Sequence, residues 1–381
     1  MKIIEKELAV LARWIISRFH PYVIGVTGSS GKTTTKYFVA ELLASAKDGV
    51  RASAGNLNTE TGLPLAVLGY DRAPKSAFDW LKVLIFAPIK ATFTFSYPKF
   101  IVLEYAADKL GDIAYLNSIV KPDIAIISSL GEAHLESFKT KEQIAKEKWN
   151  LALAATSAVI INKKVSEKIQ SLDEPKSDLY ILPSMKTAKA ENIKFFTNRS
   201  EFDFYLANKK HQTIFSYLGN HNIENLELAA FAAHLASGDV DLIVKSIKNL
   251  SPQDGRGRRF VGKNDIVVLD ESYNANPSSM KAALEIVESL SGGRKVAILG
   301  EMREIGPDTA QAHMEIAELA SKVCDLVVGV GENYKSVKLD RWYLSVSELE
   351  GEISDFVKSG DIVLVKGSRS NHLDKIIEKL K

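Results

Sequence analysis

One cysteine in 381 residues is too few for an internal disulfide, and it rules out a zinc site built on several thiolates. That residue, Cys324, lies in the apolar run VCDLVVGV and reads as a packing side chain. The lack of a disulfide framework points to a reducing compartment, the cytoplasm. Charge of one sign is also missing. The 49 Lys and Arg stand against 47 Asp and Glu, so the chain has no strong basic field of the kind nucleic-acid binding requires. No apolar run reaches the roughly 18 to 20 residues of a membrane span. The first residues, with Lys2, Glu5, Lys6 and Glu7 before a stretch broken by Arg13 and Arg18, do not read as a signal peptide.

What is present is the composition of an ordinary soluble globular protein, 46% hydrophobic and 25% charged. The length predicts two or three domains. Residues 5–19 set Leu8, Leu11, Ile15 and Phe19 at helical spacing, an amphipathic helix that would cover a sheet. YVIGV (22–26) reads as a buried strand, followed by a glycine-bearing turn and a helix from Lys32 to Ala44. FIVLEY (100–105) and DIAIISSL (123–130) are further strands separated by helical patterns, which argues for a parallel, doubly wound sheet. Residues 163–212 suggest a small, partly solvated β-rich region. A helix from about Asn222 to Ser237 and another to Leu250 lead into SPQDGRGRR (251–259), a linker by its Pro, Gly and charge. Beyond it IVVLDE, KVAILGE, DLVVGVG and DIVLVKG predict a second, smaller Rossmann-like α/β domain.

The segment GVTGSSGKTTT (25–35) places glycines where backbone must approach phosphate oxygens. Within it Gly28, Ser29, Ser30, Gly31, Lys32, Thr33 and Thr34 form a P-loop variant. Lys32 supplies a point charge for the β and γ phosphates, and Thr33 a hydroxyl for magnesium. The first glycine, Gly25, sits one residue earlier than the usual spacing. A nucleoside triphosphate is the expected ligand.

The TGSSGKTT loop, GNLNTETGLPL (55–65), residues 111–138, GNHNIENLELAA (219–230), LDESYNANPSSM (269–280), LGEMREIG (299–306) and LVKGSR (364–369) together resemble the Mur ligase family. They are most similar to its D-alanyl-D-alanine-adding branch. The resemblance implies ATP and two magnesium ions held by Thr33, Glu104, His134 and Lys148. It implies that Lys148 is carbamylated, which converts a cation into an acidic ligand. Asn222 and Asn225 would meet the adenine, with His221 beside them, and Asp270, Tyr273 and Asn274 the ribose side. Arg256 would reach the γ-phosphate. Asn56, Asn58, Lys366, Ser368 and Arg369 would face the substrates.

The residues themselves leave alternatives open. Glu104 could be a strand-end charge, His134 a structural loop histidine, Lys148 a helix-surface lysine and Asn222 a helix cap. Arg258 and Arg259 compete with Arg256 as the reaching cation.

The implied domains are an amphipathic helix (1–20), an ATP-binding domain (21–251) and a carboxy-terminal α/β domain (252–381). The implied reaction activates a muramoyl-peptide carboxylate as an acyl phosphate, which an amine such as D-alanyl-D-alanine then displaces. A monomer acting on small molecules is expected. Only about 20 residues precede the P-loop strand, where the family carries a uridine-nucleotide domain, so that domain is expected to be missing. A related ligase acting on a folate-like or lipid-linked carboxylate and a non-catalytic nucleotide-binding module are the other readings. Residues 5–19 and WLKVLIFAPIKATFTF (80–95), with Lys82 and Lys90, either pack on the sheet or touch a membrane surface.

Overall fold

Strand β1 (Tyr22–Thr27) is apolar along its length because both of its faces are covered. Val23 enters one hydrophobic cluster, while Ile24 and Val26 enter the other. The same alternation, one side chain to each face, recurs in the strands beside it: Ile101 and Leu103 against Val102, and Ala125 and Ile127 against Ile124 and Ile126. The structure is a computed structural model and describes residues 2–131, 135–196 and 198–381.

With β1, β2 (Val50–Ala52), β3 (Phe100–Glu104), β4 (Ile124–Ile127), β5 (Ala158–Asn162) and β6 (Asp178–Leu182) form a parallel sheet. Its order is β2-β3-β1-β4-β5-β6. The chain leaves β1 toward the β2 edge and leaves its neighbour β4 toward the β6 edge, so the crevice at the carboxyl ends of these strands is the position where such sheets bind ligands. The expected β-rich region divides in two: β6 extends the main sheet, while β7 (Ala188–Phe195), β8 (Ser200–Leu206) and β9 (Lys209–Phe215) form an antiparallel sheet of their own. Phe204 and Phe215 from that small sheet pack with Phe38 of the helix Lys32–Ala46, all fully buried.

The second sheet contains the four expected strands and two more. They are β10 (Arg258–Val261), β11 (Val267–Glu271), β12 (Lys295–Gly300), β13 (Leu326–Val330), β14 (Arg341–Tyr343) and β15 (Ile362–Lys366), in the order β10-β11-β15-β12-β13-β14. All pair in parallel except β10, which runs antiparallel to β11. The predicted linker therefore ends earlier than its composition suggests. Arg258 and Arg259 already pair with Asp270 and Leu269, a pairing that glycine and charge content does not reveal. Cys324 is half-buried and burial pushes its thiol up to about 12, in keeping with packing.

The amino-terminal helix Lys2–Phe19 buries Leu8, Ala9, Ala12 and Ile15 and packs on the helices Gly62–Val67 and Ala77–Phe93. Among the described residues no helix is long and apolar enough to cross a membrane.

Candidate active site

The loop after β1 is shaped by its glycines. Gly31 has φ +79°, and a Cβ there would stand 2.6 Å from Oδ1 of Asn225. Only glycine accepts both the left-handed backbone and the contact. The loop is lashed to the end of β4: Ser29 N–H donates to the Ser129 carbonyl (2.9 Å), and Ser30 N–H to Ser129 Oγ (2.8 Å). Ser128 Oγ donates to the Ser30 carbonyl (2.6 Å). Lys32 Nζ folds back to the Gly28 carbonyl at 2.9 Å, at the amino end of the helix Lys32–Ala46. Desolvation pulls Lys32 below the usual lysine range; Glu104 opposes the shift and Arg256 adds to it.

Glu104 ends β3 and is 2% exposed. Its Oε2 accepts from Thr33 Oγ1 (2.9 Å) and lies 3.3 Å from Lys36 Nζ, while Oε1 accepts from Asn58 Nδ2 (2.9 Å). Burial alone would raise this carboxyl. The cations of Lys36 and Lys32 and the bonds from Asn58 and Thr33 outweigh burial and hold it below the ordinary range. It is thus an ionised carboxylate beside the P-loop hydroxyl, not a strand-end charge facing water.

Lys148 lies inside the helix Lys141–Ala154, fully buried, and its Nζ has no hydrogen-bond partner among the described residues. Desolvation, with Lys32 adding repulsion against Asp108 and Glu147, lowers it to about 7. A helix-surface lysine would show neither property. His134 lies outside the described residues. Among those described, no three His, Cys, Asp or Glu side chains cluster as a metal site. The donors near the loop are Thr33 and Glu104, a set that suits magnesium, which takes one or two carboxylates and completes its shell with phosphate and water.

On the far side of the loop, the helix Asn220–Ser237 begins at Asn220 with Gly219 as its cap and no side-chain capping bond. Asn222 is therefore not a cap. It is buried in the first turn and donates to the Leu218 carbonyl at 2.8 Å. Asn225 accepts from Thr35 Oγ1 (3.2 Å) against the P-loop helix. His221, beside them, is lowered to about 4 by burial and by the Lys366 cation.

The second sheet turns its own carboxyl edge to the same cleft. Of the three linker arginines, Arg256 alone lines it, stacked with Cζ 3.8 Å from the ring centre of Tyr273. Arg258 pairs with Asp254, and the Arg259 guanidinium is buried and lowered to about 10. Lys366 Nζ donates to the Asn274 carbonyl (3.0 Å) and lies 3.5 Å from Glu271. Ser368 Oγ accepts from Arg303 N–H (3.1 Å), and the exposed Arg369 has its Cζ 5.5 Å from the centre of the Tyr273 ring. Asp270 is different. Its oxygens accept from Gly255 N–H (2.9 Å), Ser272 N–H (3.1 Å) and Ser272 Oγ (2.6 Å), and it does not line the cleft.

The cleft between the sheets has a volume of about 1550 Å³. Ser29 through Thr34, Asn56, Asn58, Glu104, Asn222, Asn225, Arg256, Tyr273, Asn274, Lys366, Ser368 and Arg369 line it, while Gly28 and Lys148 lie behind its wall. Sequence reasoning missed Lys36. It lies one helical turn after Lys32 and so on the same face, a spacing that could have marked it. Glu271, Ser129 and Arg303 were also missed.

A phosphate-binding loop with a carboxylate beside it, facing a second α/β domain that carries an arginine, defines a two-domain nucleotide-dependent enzyme. Family models match in the same two places: the Mur ligase middle domain over residues 26–233, and the Mur ligase glutamate ligase domain over 255–369. The chain belongs to the Mur ligase family of ATP-dependent ligases.

It is 26% identical to the UDP-N-acetylmuramoyl-tripeptide–D-alanyl-D-alanine ligase of Escherichia coli, over 97% of this chain and 79% of that protein. It is 29% identical to the enzyme of the same name from Rickettsia prowazekii, over 93% and 77%. The crystal structure of MurF ligase from Thermotoga maritima in complex with ADP superposes with a TM-score of 0.83 at 26% identity, covering 99% of this chain and 83% of that one.

Proposed function

We propose that the protein is the ATP-dependent ligase that joins D-alanyl-D-alanine to the terminal carboxylate of UDP-N-acetylmuramoyl-tripeptide. The observation that carries the reading is the convergence of Lys32 from one domain and Arg256 from the other beside the Thr33–Glu104 pair. The names shared by the relatives supply the substrates.

In this reading residues 21–251 hold the nucleotide and residues 252–381 close over it. A substrate carboxylate oxygen attacks the γ-phosphorus of ATP, and the bond to the β-phosphate oxygen breaks to release ADP. The amine nitrogen of the dipeptide then attacks the acyl carbon, loses a proton, and phosphate leaves as the amide forms. No side-chain nucleophile is required, so catalysis rests on positioning and charge.

Lys32 and Arg256 neutralise the transferring phosphoryl group, while the Ser29 and Ser30 loop fixes the triphosphate. Asn222 and Asn225 border the base, Tyr273 and Asn274 the sugar, and Asn56, Lys366, Ser368 and Arg369 the joining groups. Asp270 supports the sugar side by fixing its loop. Thr33, Glu104 and a carbamylated Lys148, with His134, would hold magnesium. Magnesium supplies Lewis-acid stabilisation of the phosphoryl oxygens. Use of ATP assigns the reaction to the cytoplasm, and the chain is read as a monomer.

The test is ADP and phosphate release by the purified protein with ATP and magnesium. Release that needs both UDP-N-acetylmuramoyl-tripeptide and D-alanyl-D-alanine, and disappears in Lys32→Ala, supports the reading. ATP binding without release across acceptors and muramoyl peptides overturns the substrate assignment.

A further inference from the structure

The helix Ala77–Phe93 is apolar on both sides. Val83, Ala87 and Ala91 are buried against the molecule, as its packing requires. The opposite face has no such cover: Phe78, Leu81, Ile85, Phe86, Ile89 and Phe93 are between 48% and 65% exposed. Projected at 100° per residue, these six fall within one broad stripe. Phe95, just beyond the helix end, is 85% exposed. Scattered exposed apolar residues need no explanation, but a continuous stripe of large ones marks a binding surface.

Charge narrows what covers it. The only ionised side chain within the stripe is Lys82, whose Nζ lies 4.4 Å from the Phe78 ring centre. Lys90 flanks it and donates to the Gly69 carbonyl at 2.8 Å. Asp79 is engaged in the capping box with Ser76 at the helix start. The neighbouring helix Lys2–Phe19 is tied on by Arg18, which donates to the Ala91 and Thr92 carbonyls, and it adds exposed Trp14 and Val10. Residues 2–19 and 71–99 hold nine basic side chains against four acidic ones, while the whole chain is only +2. The remainder of the molecule is therefore net negative, and the two segments that carry the stripe are net positive.

A second copy of the chain fits this surface poorly. A two-fold contact would bring Lys82 and the surrounding positive field against their own images with no acid in the stripe to answer them. A lipid bilayer fits on both counts. Phenylalanine, leucine and isoleucine enter the acyl boundary, tryptophan sits at headgroup level, and lysine stems lie along apolar surface while their ammonium groups reach phosphate. We propose that the helix Ala77–Phe93 lies flat on a bilayer bearing anionic headgroups, holding the enzyme at the membrane surface. The proposal stands independently of which carboxylate the active site joins.

The experiment is flotation of the full-length protein with vesicles of phosphatidylcholine alone and of phosphatidylcholine mixed with phosphatidylglycerol, at low and high salt. Expected is binding to the anionic vesicles that salt weakens. Phe86→Glu and Ile89→Glu should each lower it about tenfold, since each removes one inserted side chain, and Lys82→Glu should lower it as well. Circular dichroism and ATP turnover with soluble substrates should be unchanged, because none of these residues lines the cleft. Failure to float with either vesicle overturns the proposal, and equal binding to both overturns its electrostatic part. A dimer in light scattering that Phe86→Glu dissociates, without vesicle binding, would assign the stripe to self-association instead.

Discussion

Lys36 Nζ lies 3.3 Å from Oε2 of Glu104, and both side chains are shut off from solvent. A carboxylate buried at the foot of the P-loop needs a counter-charge whenever no metal is bound, and Lys36 supplies it. Removing one partner of such a pair leaves an uncompensated buried charge. Lys36→Met should therefore lower the unfolding free energy by about 3 kcal/mol in metal-free buffer. Urea denaturation measures this, and an unchanged midpoint would mean that Thr33 and Asn58 suffice to hold the carboxylate.

Arg256→Ala should lower kcat by about 100- to 1000-fold, the usual cost of losing one group aimed at charge that develops during reaction. Binding of a fluorescent ATP analogue should weaken far less, because the loop that cradles the phosphates is untouched. A loss confined to nucleotide affinity would assign Arg256 to ground-state binding.

Gly31→Ala places a methyl group against Asn225 in a left-handed backbone. ATP affinity should fall about tenfold or more, equivalent to the 1–2 kcal/mol cost of that backbone for a residue with a Cβ. Titration calorimetry reads it, and an unaltered affinity would show that the loop can relax.

An amine lowered to about 7 is largely neutral at pH 8, so Lys148 Nζ can attack carbon dioxide there, forming the N–C bond and releasing a proton. Carbon-13 bicarbonate should give a carbamate resonance at pH 8 that fades toward pH 6 as protonation of the amine drives carbon dioxide off. Lys148→Met should lack the signal. A wild-type spectrum without it would leave Lys148 as a buried neutral amine.

Glu227 is buried, accepts from Ala190 N–H at 2.8 Å, and is raised by burial to about 8. The folded chain thus holds a proton that the unfolded chain has released between pH 4.5 and 8. The stability this contributes is complete below 4.5 and is lost as pH rises through 8. Glu227→Gln keeps an acceptor for the Ala190 amide without a charge, and should stabilise the protein at pH 8 by about 1–3 kcal/mol relative to wild type. The difference should vanish near pH 4, as thermal unfolding at the two values would reveal.

The site was legible wherever chemistry and strand ends coincide in sequence. The P-loop announced itself by a strand, a glycine turn and Lys32, and Glu104 by closing an apolar strand. Lys148 was not legible in this sense, since a lysine between Glu147 and Trp149 gives no sign that tertiary packing removes it from water. Asp270 was legible as a strand-end acid, but its bonds to Gly255 and Ser272 depend on how β10 folds back. The helix Ala77–Phe93 was legible as apolar and not as exposed, because an all-round apolar pattern does not say which face the protein covers.

The Asp270–Gly255 bond has a mechanical consequence. It fastens the turn that bears Arg256 to the strand that leads to Tyr273, so the two side chains travel with the second sheet as one rigid body. Any change in the angle between the sheets would then act on local potential: a swing toward Lys32 would bring a full positive charge further into the cleft, and a swing away would withdraw it without rearranging the first domain.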